Sequence, residues 1–423
     1  MKLPQAHQYS GYQWLRDHPK GLCADDMRLG KTLTATLSVH DKGPGVIACP
    51  ASAKLIWRDH FRELNPRVKI NILYGRSAHI IEDADVYITN YDILGDNLVR
   101  IPKRARYNWF LPDEFHMLGN PMARRTGAAQ HLARHSLICH PLSGTPMPNR
   151  PIEWWPMLNA LDITSMNYPT FAKRYAAAWH APWSKDKPYG LDVRGASNLA
   201  ELHDLTAPHI LRRMKSQIIE GYKSPEIALI TFDRPVDSRE SGFNREVLRQ
   251  TENPLLSIEG LSEVLKESAL RKLPDCIEFI ENRLQEEQKI IVFSYHHEVI
   301  DALQLRLAAY PSVQVTGHNT TEQKYALAAH FRSDPDCRLF FGNIVSAGQS
   351  IDLSVADTII CVETTFVPWH FRQAIERTES VFKTGRAASV YVLTTENSID
   401  HFLLERIFSK EHVISQVVKP SYL

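Results

Sequence analysis

Apolar and polar residues alternate along this chain in two blocks, separated by a stretch of different pattern. Through the first 150 residues, short apolar runs stand between segments with helical spacing: Gly45–Cys49, Val68–Leu73, Asp85–Thr89, Tyr107–Leu111 and Ser136–Leu142. Short apolar strands alternating with helices predict a parallel α/β sheet. From Pro151 to about Arg213 the chain is rich in Trp, Tyr, Ala and His and predicts helices with loops. The segment Gly221–Asn253 holds one strand-like run, Glu226–Phe232, then a charged stretch, and reads as a linker or crossover. A helical pattern returns over Leu261–Gln288. Apolar runs resume at Lys289–Ser294, Val313–Val315, Arg338–Phe341, Thr358–Val362 and Ser389–Leu393. The predicted fold class is α/β, with two parallel-sheet lobes and a helical insertion between them. The expected divisions are 1–150 for the first lobe, 151–217 for the insertion, 218–270 for a linker and helical segment, and 271–423 for the second lobe.

Composition changes this picture little. The 423 residues are 43% hydrophobic and 23% charged, with a net charge of +1, as in an ordinary globular protein. The basic residues are clumped at Lys103–Arg106, Arg124–Arg125 and Arg212–Lys215. Such clumps read first as solvated faces, although a local basic track can grip phosphates. No run of eighteen apolar residues and no signal-peptide start occur, so no membrane partner is expected. The six cysteines are scattered without metal-ligand spacing, and several sit in apolar runs. Buried free thiols and a cytoplasmic location are expected.

The candidate chemistry lies in four places. Gly21–Thr36 contains Gly30-Lys31-Thr32 at the opening of a helical run. There, backbone N–H groups can face phosphates, Lys31 can neutralise β/γ oxygens, and the Thr32 hydroxyl can ligate Mg²⁺. The strict phosphate-loop pattern is broken, because Asp25 stands at the first glycine position. Asp113-Glu114 closes the apolar run Trp109–Leu111, where ligands of open α/β sheets bind. An Asp at that point can hold Mg²⁺, and the adjacent Glu can deprotonate an attacking water. Ser143-Gly144-Thr145-Pro146 follows a third apolar run, and its hydroxyls are placed to sense a γ-phosphate. In the second block, Gln373 to Arg377 reads as a nucleotide-facing helix.

These segments, in this order, resemble the Swi/Snf-type helicase-like ATPases of superfamily two, most nearly the annealing-helicase branch. Gln8-x-x-Gly11-x-x-Trp14-Leu15 is similar to the adenine-reading Q motif, and Ala24–Met27 with Leu29–Thr32 to motif I. Cys49–Ser52 with Trp57 is similar to motif Ia, and Thr89–Tyr91 to motif Ib. Asp113–His116 with Asn120-Pro121 and Arg125-Thr126 is similar to motif II and its extension. Leu142–Asn149 is similar to motif III. Phe171–Tyr175, Gly195–Leu202 and Leu211–Lys215 resemble the family's helical insertion. Phe293–His297 is similar to motif IV, and Gln373 and Arg377 to motif VI.

The resemblance implies two RecA-like lobes, ATP and Mg²⁺ as cofactors, and duplex or branched DNA as partner. It implies Gln8, Gly30, Lys31, Thr32 and Gln373 as nucleotide-binding residues, with Thr32 and Asp113 at the metal. Glu114 would be the general base, with Asp113, Arg377 and Lys383 completing the catalytic set. Ser52, Tyr91, Asn120, Arg125, Asn149, Ser294 and Thr316 would face DNA. The implied activity is DNA-stimulated ATP hydrolysis driving translocation along double-stranded DNA. Strand separation or annealing, and an ATP-gated clamp with weak hydrolysis, stand as alternatives.

The chain also departs from the family pattern. Arg28 stands where the family has a glycine, and Ser350 and Asp352 alter motif V. Ser380 replaces a second arginine of motif VI, and a shifted alignment makes Lys383 its stand-in, with Arg386 as a rival. Lysine lacks the planar fork of arginine, so slow turnover is expected. The accessory domains of annealing helicases have no counterpart before Gln8, so a protein partner is expected to supply targeting.

Overall fold

Fifteen strands form among the residues that the computed structural model describes: 4–147, 149–180, 188–236, 240, 260–345, 351–363, 368–376 and 387–419. The chain divides into two compact units, Met1–Ile218 with His412–Leu423, and Ile219–Glu411.

The first unit is built on five parallel strands: β2 (Gly45–Cys49), β3 (Ile70–Ile72), β4 (Val86–Asn90), β5 (Trp109–Pro112) and β6 (Ile138–Cys139). Their order is β3-β4-β2-β5-β6. The side-chain period of two sends alternate residues to opposite faces. Val46, Ala48 and Phe110 join one core; Ile47, Cys49 and Leu111 join the other. Burial on both faces is why these strands read as continuous apolar runs. The run expected as one strand over Ser136–Leu142 is interrupted at Pro141, which has no N–H to donate. It resumes at Leu142, which bridges both Asp113 and Cys23. Leu142 thereby links the main sheet to a short parallel pair, β1 (Leu22–Cys23) and β9 (Ile210–Leu211). An antiparallel pair, β7 (Trp179–His180) and β8 (Leu191–Asp192), lies in the helical region. That region contains the helices Trp155–Ala160, Tyr168–Tyr175 and Leu199–Thr206. Met157, Phe171 and Leu202 from these helices enter the first unit's core.

The second unit is a six-stranded parallel sheet of β10 (Glu226–Phe232), β11 (Ile290–Ser294), β12 (Ser312–Val315), β13 (Leu339–Asn343), β14 (Thr358–Cys361) and β15 (Ser389–Thr395). The order is β10-β15-β14-β11-β13-β12. Glu226–Phe232, expected within a linker, is therefore the outer strand of this sheet, paired with β15 over all seven residues. Its Ile227 and Leu229 stay exposed, as on the outer strand of a sheet. The helix Leu261–Glu286 packs on the sheet through Ala269, Cys276 and Ile280. Its buried Lys272 donates to the Leu393 carbonyl at 2.7 Å and pairs with Asp400. All six cysteines are free and buried. No helix among the described residues is long and apolar enough to cross a membrane.

Candidate nucleotide site

The site forms at the carboxyl ends of β1, β5 and the strand resumed at Leu142, where a parallel sheet gathers its loops. After β1 the chain turns through Asp25–Leu29 and enters the helix Lys31–Val39, with Gly30 as N-cap. Gly30 has φ +80°, a left-handed conformation that glycine adopts without steric cost. Arg28, at φ +66°, adopts the same region with a side chain, so the loop holds a strained residue beside its lysine. A Cβ on Gly30 would strike the Gln8 amide, which places Gln8 directly against the loop. Lys31 Nζ donates to the carbonyls of Asp25 at 2.8 Å and Asp26 at 3.1 Å. Those are bonds a phosphate can replace. Thr32 lies in the first turn, half-buried.

Asp113 ends β5, and its carboxylate accepts from the buried Trp57 indole at 2.8 Å. Burial pushes the Asp113 carboxyl up to about 7, and the neighbouring Glu114 charge adds to the effect. A carboxylate so disfavoured gains from a cation beside it. Glu114 follows at φ +53°, another strained residue in the site. The Ser143 hydroxyl donates to Glu114 Oε2 at 3.3 Å and accepts from Thr145 N–H at 3.1 Å. His116 Nδ1 lies 2.9 Å from the same hydroxyl. Ser143 therefore orients Glu114, a role that its motif position alone did not disclose. A Cβ on Gly144 would lie 2.5 Å from Met27 Cγ and 3.3 Å from Lys31 Nζ, so a glycine lets this segment pack closely against the loop that bears the lysine. The residues present fit Mg²⁺ and a nucleotide phosphate. Among the described residues no three His, Cys, Asp or Glu side chains form a metal cluster, so phosphate oxygens would complete the coordination.

Of the residues expected to face DNA, Asn120 is exposed and Ser52, Arg125 and Asn149 are half-buried. Arg125 stands 3.8 Å from Asp92, and Asn149 donates to Glu153 at 3.2 Å. The other three are turned inward. Tyr91 is 2% exposed and donates its hydroxyl to the Asp113 carbonyl at 2.6 Å, which supports the end of β5. Ser294 is fully buried, its hydroxyl spent on Glu363. Thr316 is held in a local turn by Asn319. In the second unit, Gln373 is buried on the helix Pro368–Glu376. Arg377, Ser380, Lys383 and Arg386 lie outside the described residues, as does Ser350.

The clump Arg212–Lys215, read as a solvated face, is buried instead. Arg212 and Arg213 are 3% and 4% exposed, and they pair with Asp26 and Asp25 of the loop before Lys31. Four charges are accommodated inside because each has its counterion.

A model of the SNF2-related domain matches residues 7–289, and one of the helicase conserved C-terminal domain matches residues 269–381. The SWI/SNF-related matrix-associated actin-dependent regulator of chromatin subfamily A-like protein 1 homolog of Caenorhabditis elegans is 26% identical, over 94% of this chain and 59% of its own length. The DNA annealing helicase and endonuclease ZRANB3 of Homo sapiens is 24% identical, over 94% of this chain and 39% of its own. The chain thus spans roughly two fifths to three fifths of the length of these relatives. The solved Sulfolobus solfataricus SWI2/SNF2 ATPase core in complex with dsDNA aligns with 99% of this chain and 98% of its own, at 19% identity and a TM-score of 0.45.

Proposed function

The chain belongs to the SNF2-related family, and from that premise we propose that it is an ATP hydrolase stimulated by duplex DNA, whose turnover drives translocation along that duplex. The observation that carries this reading is the meeting of Lys31, Asp113, Glu114 and Ser143 at one end of a parallel sheet.

In this reading Gln8 meets the adenine beside Gly30, and Lys31 exchanges its loop carbonyls for β/γ-phosphate oxygens. Thr32 and Asp113 would hold Mg²⁺, which supplies positive charge to the phosphoryl group in transfer. Glu114, aimed by Ser143, takes the proton of the attacking water. By the same resemblance, Gln373, Arg377 and Lys383 also serve ATP binding and turnover. Ser52, Asn120, Arg125 and Asn149 contact DNA phosphates, which gives affinity that falls with salt and depends little on sequence. Branched DNA as substrate, and a protein partner that targets the motor, belong to the same proposal.

The test is steady-state ATP hydrolysis with and without duplex DNA, together with displacement of a third strand from a triplex. Stimulation by duplex and ATP-dependent displacement are expected, and Glu114→Gln should lower turnover by about 10²–10⁴. Hydrolysis without displacement would remove translocation from the proposal. No hydrolysis by the wild type, with ATP-dependent DNA binding intact, would make the protein a clamp. A second reading, strand annealing, is favoured by the likeness to the human DNA annealing helicase and endonuclease ZRANB3. Annealing of complementary strands coated with single-strand-binding protein tests it.

A further inference from the structure

Arg212 and Arg213 do more than neutralise two aspartates. Arg213 lays its guanidinium on Asp25, with Nε 3.0 Å from Oδ1 and Nη2 on Oδ2, while its backbone N–H reaches Oδ1 at 3.0 Å. Its remaining Nη1 donates to the His7 carbonyl and, at 3.1 Å, to the Ser10 hydroxyl. Both lie on the helix Ala6–Asp17, which also carries Gln8. A Cβ on Gly11 would sit 2.4 Å from Arg213 Nη2, so that helix approaches the guanidinium through a glycine. Arg212 faces the other way along the loop. Its Nη1 donates to the carbonyls of Ala24 at 2.5 Å and Gly144 at 2.9 Å, and its Nη2 pairs with Asp26 at 2.9 Å. Gly144 adjoins Ser143, which holds Glu114.

We propose that Arg213 and Arg212 are positioning residues for ATP turnover, Arg213 setting nucleotide affinity and Arg212 setting the chemical step. Arg213 joins the helix that bears Gln8 to the loop that bears Lys31, so it fixes the adenine contact against the phosphate contact. Arg212 joins the same loop to the segment that aims Glu114, so it fixes the phosphates against the general base. This inference rests on the reading of the site as an ATPase.

The test compares wild type with Arg213→Lys and Arg212→Lys, which keep the charge and lose the fork. Hydrolysis is titrated with Mg·ATP, and each rate is referred to the number of sites that bind a fluorescent ADP, so that misfolded protein does not count. Arg213→Lys should raise KM about tenfold with kcat within about twofold, a loss of binding common to ground and transition states. Arg212→Lys should lower kcat at least about tenfold with KM within about twofold. The pair Asp25→Asn with Arg213→Gln keeps shape without charge and should reproduce the KM rise if Arg213→Lys fails to fold. Equal effects of the two arginine variants on KM and kcat, or none, would overturn the proposal. Lys31→Ala separates this failure from that of the underlying reading. If wild type binds no ATP, or Lys31→Ala binds it equally well, the site is not an ATPase and both fall.

Discussion

Asp113 ends a buried strand beside a second carboxylate, and its carboxyl group titrates near 7 in the folded chain. A carboxyl raised in this way is neutral in the folded protein where it would already be charged in the unfolded one. Its contribution to stability is therefore complete below about pH 4 and is lost as pH rises through about 7. Asp113→Asn removes the penalty, so at pH 8 the metal-free variant should be more stable than wild type by about 2 kcal/mol, a value reduced for the partial openness of the strand end. Buried His140, held down to about 4, pulls the other way as pH falls below its ordinary range. Variant and wild type must therefore be compared at each pH, and equal melting temperatures at pH 8 would remove the penalty. The same group predicts an acidic limb near pH 7 in kcat/KM, because that quantity reports the free enzyme. The limb should move to lower pH in kcat, where a bound cation favours the carboxylate.

The pairing of β1 with β9 shows what the sequence could and could not disclose. Strands β2, β4 and β5 were legible because burial on both faces makes each a continuous apolar run. The placement of Gly30-Lys31-Thr32 and Asp113-Glu114 after strands was legible because an apolar run precedes each and a helical run follows the first. Strand β1 has only two residues, Leu22 and Cys23, and its partner lies 188 residues later in the chain, at Ile210 and Leu211. No local pattern joins them. A basic clump on the surface and a basic pair that neutralises Asp25-Asp26 look alike in composition, so Arg212-Arg213 read as solvated. The available signal was the acidic pair itself, flanked by the apolar Leu22–Ala24 and in need of counterions. Tyr91 was misplaced for a related reason, since a tyrosine after a strand serves DNA or a strand end equally well. The central strand also carries a packing requirement. Gly45 faces Trp109 across the β2–β5 ladder, and a Cβ there would lie within 2.5 Å of three atoms of a fully buried indole. That indole donates to the Gly43 carbonyl at 2.7 Å and stacks on Phe61, so it has nowhere to move. Gly45→Ala should cost about 1–3 kcal/mol in a denaturant titration.

Each unit has its own cores on the two faces of its own sheet. Thermal unfolding should therefore show two transitions, and Mg·ADP should raise the one that belongs to the first unit. The end of the chain belongs to that unit too. The helix Ile399–Val417 brings Val417, 1% exposed, into the first core, and its carbonyl lies 2.7 Å from His203 Nδ1. Removing residues 412–423 should cost the first unit about 2 kcal/mol, read as a fall of about 4–8 °C in its transition with the other unchanged. A fall confined to the second transition would contradict that placement.

That return has a consequence in time. A ribosome completes residue 218 long before it reaches residue 412, and at about 5–20 residues per second the interval is roughly 10–40 s. During it the first unit has its sheet and its nucleotide loop but an open place where Val417 belongs. The nascent first unit waits with the place of Val417 uncovered until residues 412–423 emerge, and in that interval chaperones have most to offer it.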